Sequence, residues 1–189
     1  MSLPNRLTIV RIILTFVFFF FAFQTGVIPK IIAFAVFLLA SLTDFYDGYY
    51  AKKYNLISDF GKIMDPIADK FLILTAFFTF MVMHLIGGWM FILILVREVG
   101  VTLIRLRAMR RGKVLAAEQA GKIKTVLQIT TILTILIFMI FAEMNLSGRW
   151  STWLGQFYMG IYCLMFAVVA VTLFSGASFL WNNRRSIYA

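Results

Sequence analysis

Charge is scarce in this chain. Only 14% of its 189 residues are Asp, Glu, Lys or Arg, and just eight are acidic. With 62% hydrophobic residues and 21 Phe, the composition lies far above the roughly 45–50% apolar content of soluble domains. A water-soluble globule is thereby excluded, and an integral membrane protein is expected. Six spans of ~20 residues with short connections would use the whole length, leaving no room for a separate soluble domain. The single cysteine, Cys163, cannot form an internal disulfide, and its place in an apolar segment reads as packing. Tandem repeats and a low-complexity tail are also missing, so residues 1–189 are expected to form one membrane-embedded domain, an all-α bundle. The apolar N-terminal stretch LTIVRIILTFVFFFFAFQ exceeds a signal-peptide core and has no small-x-small cleavage site, and it reads as a retained first span.

Apolar runs predict six transmembrane helices at about 7–24, 28–50, 66–86, 88–110, 120–143 and 155–181. TGVIP, IGG and NLSGRWS punctuate them, and polar connections are expected at 51–65 and 111–119. The net charge of +10 does not indicate nucleic acid, because the basic residues follow the membrane. Fifteen of the eighteen Lys and Arg fall on the side of the termini and of the second and fourth connections. Only Lys30 and Arg149 fall on the other side, and Arg97 lies within a span. The positive-inside rule places both termini and the two basic connections in the cytoplasm, hence a multi-pass protein of the inner (cytoplasmic) membrane. Trp89, Trp150 and Trp153 mark the opposite interface, and the run Phe18 to Phe21 reads as lipid-facing.

Five of the eight acidic residues crowd into SLTDFYDGYYAKKYNLISDFGKIMDPIADK, residues 41–70. Asp44 and Asp47, three apart, share a helical face at the end of the second span. Asp65 and Asp69, four apart, share one at the start of the third, with Pro66 expected in its first turn. Four ionised carboxylates facing one another repel, so a positive partner is required. The set is all oxygen, without His or Cys, and therefore suits Mg²⁺ or Mn²⁺ rather than zinc or copper. Two such ions about 4 Å apart would form a clamp for a phosphate or diphosphate. Gly48, Gly61 and Ala51 would leave its wall open to a bulky phosphate group. Asp59 reads as a solvated loop residue outside the set.

These residues resemble the signature of the CDP-alcohol phosphatidyltransferases, DxxDGxxAR, eight residues, then GxxxDxxxD. Here it is Asp44, Asp47, Gly48, Ala51, Lys52 in place of the arginine, Gly61, Asp65 and Asp69, every gap correct. The resemblance implies a six-helix membrane enzyme, a homodimer with its site on the cytoplasmic side, that transfers a phosphatidyl group from a CDP-linked lipid to an alcohol and releases CMP. It implies that Asp44, Asp47, Asp65 and Asp69 hold two divalent cations and that Asp69 is also the general base. Lysine at 52 keeps the charge but loses the bidentate fork of arginine.

LPNRLTIVRI, FGKIMDPIADK, REVGVTLIRLRA and AAEQAGKIKTVLQ are similar to segments of the bacterial phosphatidylglycerophosphate synthases within that family. That branch implies CDP-diacylglycerol as donor and sn-glycerol 3-phosphate as acceptor. An anionic acceptor needs cationic anchors, and Arg105, Arg110, Lys122 and Lys124 are the candidates. Their other reading is topology and attraction to anionic headgroups. Asn5, Thr8 and Arg11 are read either as donor-phosphate contacts or as helix-capping and lipid-surface residues. Arg97 and Glu98, deep in a span, require partners. The competing functions are a cardiolipin or phosphatidylserine synthase of the same family and, from another class, a cation transporter.

Overall fold

The computed structural model describes residues 3–54, 59–110, 119–144 and 151–188, with side chains described over 8–43, 67–68, 70–109, 121–144 and 155–184. The described residues form six α-helices and no strands: α1 (Leu3–Phe23), α2 (Val27–Tyr54), α3 (Asp59–Val82), α4 (Gly88–Arg110), α5 (Gln119–Met144) and α6 (Ser151–Tyr188). The helix count matches the hydropathy pattern, but several ends do not. α2 and α3 continue through polar sequence, which shortens the expected 51–65 connection to residues 55–58. Asp59 therefore opens α3 instead of sitting in a loop, and Pro66 falls in the helix interior instead of its first turn. Apolar runs report where a helix meets lipid; they do not report a polar helix continuing past the bilayer surface.

The helices close into a ring, each packed on two neighbours in the order α1, α2, α5, α6, α4, α3, with α3 also approaching α5 and α2 across the middle. Phe18, Phe37, Phe77, Phe80, Met90, Ile94, Ile132, Leu136 and Met165 are completely or almost completely buried within it. Ala22, Ala33 and Ala40, also fully buried, let neighbouring backbones approach. Aromatic edges lock across the helices, Phe18 on Phe37 at 5.6 Å and Phe78 on Phe91 at 5.8 Å.

The outer surface has the opposite character. Ile28, Phe16, Val126, Phe141, Phe174 and Trp181 are exposed, whereas Thr8, Arg11, Glu98, Lys124, Gln128 and Thr172 are buried. Apolar outside and polar inside is the arrangement for a hydrocarbon solvent, which satisfies the first group and penalises the second. Stretches in α5 and α6 are long and apolar enough to cross a membrane, and α1, α2 and α3 carry shorter ones. Several hydroxyls are satisfied within their own helices, as where Thr15 and Thr79 donate to the carbonyls of Arg11 and Thr75 at 2.8 Å.

Two expectations change here. Cys163 faces outward on α6, where a weakly polar thiol is tolerated by lipid, so it does not pack inside. The Phe18 to Phe21 run is only partly lipid-facing, because four successive residues wrap most of a helical turn: Phe18 is core and Phe20 is exposed.

Gly26, at φ 103°, turns the chain between α1 and α2 in the left-handed region that a residue without Cβ adopts freely. Beyond it, the Lys30 ammonium donates to the carbonyls of Ala22 and Gln24, both at 2.7 Å, and lies 3.9 Å from Glu143 of α5. This buried lysine neutralises the exposed carbonyl end of α1 and ties three helices at the end remote from the other buried cations. We expect Lys30→Met to destabilise the fold by about 1–3 kcal/mol, the cost of leaving buried acceptors unpaired. Thermal melting in detergent would show a lowered midpoint with unchanged activity per folded molecule; an unchanged midpoint would refute the staple.

Candidate active site

The ring encloses a polar chamber at the end that carries Arg11, Lys70 and Lys124. Its two lobes, of ≈ 250 and ≈ 480 Å³, share Ser41, Lys70, Arg105, Lys124, Thr125 and Ile129. The smaller lobe reaches Arg11, Glu98 and Gln128, and the larger reaches Arg97, Lys122, Ser175 and Phe179. Among the described residues of these walls, six cations face a single carboxylate, Glu98. A concave site whose described walls carry that charge concentrates anions, above all phosphates.

Glu98 sits at the junction of three helices. Its Oε2 accepts from Lys70 of α3 at 2.7 Å; its Oε1 accepts from Arg97 at 3.1 Å, from Lys124 of α5 in a short contact, and from Gln128 at 3.5 Å. The expected partners of Arg97 and Glu98 are therefore each other and the neighbouring helices. Arg97 also donates to Ser175 of α6. Its side chain lies so close to Gly176 that a Cβ there would meet Arg97 Cγ at 3.0 Å, so glycine makes room for the guanidinium. Arg105, more exposed, lies over the Phe179 ring at 5.5 Å, a cation–π contact that holds its charge at the larger lobe.

The structure brings together three of the four expected acceptor cations, Arg105, Lys122 and Lys124; the side chain of Arg110 lies outside the described residues. Thr8 and Arg11 are buried, at 2% and 1% exposure, which removes the lipid-surface reading for both, and Arg11 lines the smaller lobe. The side chains of Asn5, Asp44, Asp47, Gly48, Ala51, Lys52, Gly61, Asp65 and Asp69 lie outside the described residues, although the helices carrying them are described. Asp44 and Asp47 lie about two to three turns before the end of α2, and Asp65 and Asp69 about two to three turns after the start of α3. Asp44 follows the chamber residue Ser41 by three positions, and Asp69 precedes Leu72 and Ile73 by three and four. The helical rows that line the chamber thus continue, one turn on, into the aspartate positions.

Sequence reasoning missed Lys70, Ser41, Gln128 and Ser175 as site residues. Two signals were available: Lys70 directly follows Asp69, and Gln128 is an amide one turn beyond Lys124 in an otherwise apolar helix.

Comparison with known proteins gives a consistent answer. The family model described as CDP-alcohol phosphatidyltransferase matches residues 1–180. A Bacillus subtilis (strain 168) protein named CDP-diacylglycerol--glycerol-3-phosphate 3-phosphatidyltransferase is 38% identical over 148 residues, 72% of this chain and 77% of the relative. A Mycobacterium tuberculosis (strain ATCC 25618 / H37Rv) protein named "Probable phosphatidylglycerophosphate synthase" is 39% identical over 134 residues, covering 69% and 64%. A Treponema pallidum (strain Nichols) protein with the same name as the Bacillus relative is 33% identical over 132 residues, covering 70% and 61%.

Proposed function

The chain belongs to the CDP-alcohol phosphatidyltransferase family, and from that premise we propose that it transfers the phosphatidyl group of CDP-diacylglycerol to sn-glycerol 3-phosphate, giving phosphatidylglycerophosphate and CMP. It is a membrane transferase of phospholipid biosynthesis, which removes the transporter reading. The observation that carries the choice of acceptor is the six-cation chamber adjoining the aspartate-bearing helix ends. A dianionic phosphate fits that chamber; serine, with no phosphate, would leave most of its charge uncompensated.

Enzymes of this family generally depend on divalent cations. The all-carboxylate donor set fits Mg²⁺ or Mn²⁺, and Asp44, Asp47, Asp65 and Asp69 would hold two of them. Bound there, the cations supply charge stabilisation for the donor diphosphate. The rest is the work of side chains. Arg105, Lys122 and Lys124, with Arg110 from the same helix end, grip the acceptor phosphate through charge-assisted hydrogen bonds. Arg11, Thr8 and Asn5 of α1, with Lys52 of α2, contact the donor, and Gly48, Ala51 and Gly61 leave room for its cytidine diphosphate. Asp69 takes the proton of the acceptor hydroxyl as that oxygen attacks the phosphorus bearing the diacylglycerol. The new P–O bond forms as the bond to the CMP phosphate breaks, and CMP departs with the electron pair. No protein nucleophile is needed.

The skewed distribution of Lys and Arg supports a site facing the cytoplasm across the inner membrane, with both termini on that side. A homodimer completes the proposal and rests on the family resemblance. The test is an acceptor screen: purified protein, CDP-diacylglycerol and Mn²⁺ with glycerol 3-phosphate, serine or phosphatidylglycerol, read as CMP released. We expect turnover with glycerol 3-phosphate at least about tenfold faster than with the others, the discrimination of one lost charge-assisted contact. Turnover with serine but not glycerol 3-phosphate would reverse the choice.

A further inference from the structure

We propose that Glu98 is a positioning residue for the transfer: a buried carboxylate that sets where the acceptor-binding cations of α5 stand relative to the catalytic end of α3. The inference rests on the acceptor reading above and goes beyond it, because Glu98 has no part in that reading.

Geometry argues first against any direct role. Glu98 is 2% exposed, and its two oxygens already receive Lys70, Arg97, Lys124 and Gln128. A carboxylate offers about four lone-pair sites. Oε1 takes three of these contacts and is saturated, Oε2 takes Lys70, and at 2% exposure the carboxylate presents almost no accessible acceptor to substrate or metal.

What Glu98 does instead is join helices. Lys70 is the residue after Asp69 on α3, and Lys124 is an acceptor-side cation on α5. One carboxylate on α4 holds both, through Oε2 and Oε1 respectively. The proposed phosphate anchor Lys124 is therefore tied through Glu98, by two ion pairs, to the residue that follows the proposed base on α3. Arg97, bonded to Glu98 and seated against Gly176 and Ser175, braces the same point of α4 against α6.

Energetics supplies the reason for a charge at this place. Three cations converging without an anion would repel and turn apart, and lysine side chains carry much rotamer freedom. Glu98 compensates one of the three charges and leaves a net positive cluster for an anion. Its contact occupies one N–H of each ammonium, and an ammonium carries three. Pre-ordering of this kind lowers the cost of binding, and small misplacements of reacting groups are expensive in rate.

Glu98→Gln keeps the shape and removes the charge. We expect the KM for glycerol 3-phosphate to rise about ten- to a hundredfold, with a smaller fall in kcat and an unchanged KM for CDP-diacylglycerol. A merely structural role would lower the melting midpoint and the active fraction while leaving both KM values alone. Glu98→Asp, which keeps the charge but shortens the reach by one methylene, should show the same acceptor-selective pattern at smaller amplitude, and serves if the glutamine variant does not fold. An acceptor KM within twofold of the parent in the folded variant, or a parallel rise in both KM values, overturns the proposal. The acceptor screen on the unmodified enzyme keeps the two readings apart. If it selects another acceptor, the acceptor reading fails, and the positioning role is judged on the same split measured with that acceptor.

Discussion

Asp69→Asn is expected to lower CMP release by at least about 10³-fold while the protein still folds. Asparagine occupies the same volume and cannot take a proton, so the hydroxyl loses its base, a contribution of roughly 10²–10⁴. It also binds a hard cation less well than a carboxylate, which adds to the loss. Folding should survive because one of four mutually repelling carboxylates becomes neutral. The measurement pairs a CMP-release assay with a thermal melt in detergent. A midpoint equal to or above that of the parent, together with abolished turnover, is the expected result. Near-normal turnover would remove Asp69 as the base and leave the residues around Lys70 and Lys124 to be re-examined.

Chelation of divalent cations is expected to abolish activity completely, and Mg²⁺ or Mn²⁺ to restore it. Asp44 and Asp47 lie toward the end of α2 and Asp65 and Asp69 toward the start of α3, where removal of the proposed cations would leave like charges unshielded. The melting midpoint should fall with activity, since a ligand that binds only the folded state stabilises it in proportion to the logarithm of its concentration. Asp44→Asn should shift the Mn²⁺ concentration for half-maximal rate upward while leaving the KM for glycerol 3-phosphate unchanged. Full activity in excess chelator would exclude the two-cation reading.

The two halves of the proposed site have opposite sign, and that is their logic. The acidic end would bind cations and, through them, the donor diphosphate, and the basic chamber next to it would bind the acceptor phosphate directly. Side by side, each offsets the cost of burying the other. Arg11 and Ser41, from α1 and α2, line the smaller lobe together with Lys70 of α3, Glu98 of α4 and Lys124 of α5, so its wall is drawn by five helices at once.

Most of the helices could be located in the sequence because the bilayer imposes a length and an apolar character on each of them. The aspartate pairs could be placed on shared faces because 3.6 residues per turn makes spacings of three and four local geometry. The sidedness of the cations came equally directly from counting Lys and Arg between apolar runs. These are one-dimensional properties, and they decided the membrane class, the six helices and the metal-type donor set. Where α2 ends and where α3 begins was not legible, because polar helix beyond the lipid leaves no apolar signature.

Tertiary structure alone decided which helices are neighbours. Lys70 and Glu98 are 28 residues apart, and Glu98 and Lys124 are 26 apart. No periodicity predicts that these three charges converge. In lipid, an apolar face does not choose its partner by hydrophobicity, since hydrocarbon is equally apolar; packing shape and polar contacts between helices make the choice. The ring order, the Lys30 staple and the Glu98 junction all follow from that selection, which is why a carboxylate that reads in the sequence only as an expensive buried charge becomes, once α3, α4 and α5 are closed around it, the point that joins the two halves of the site.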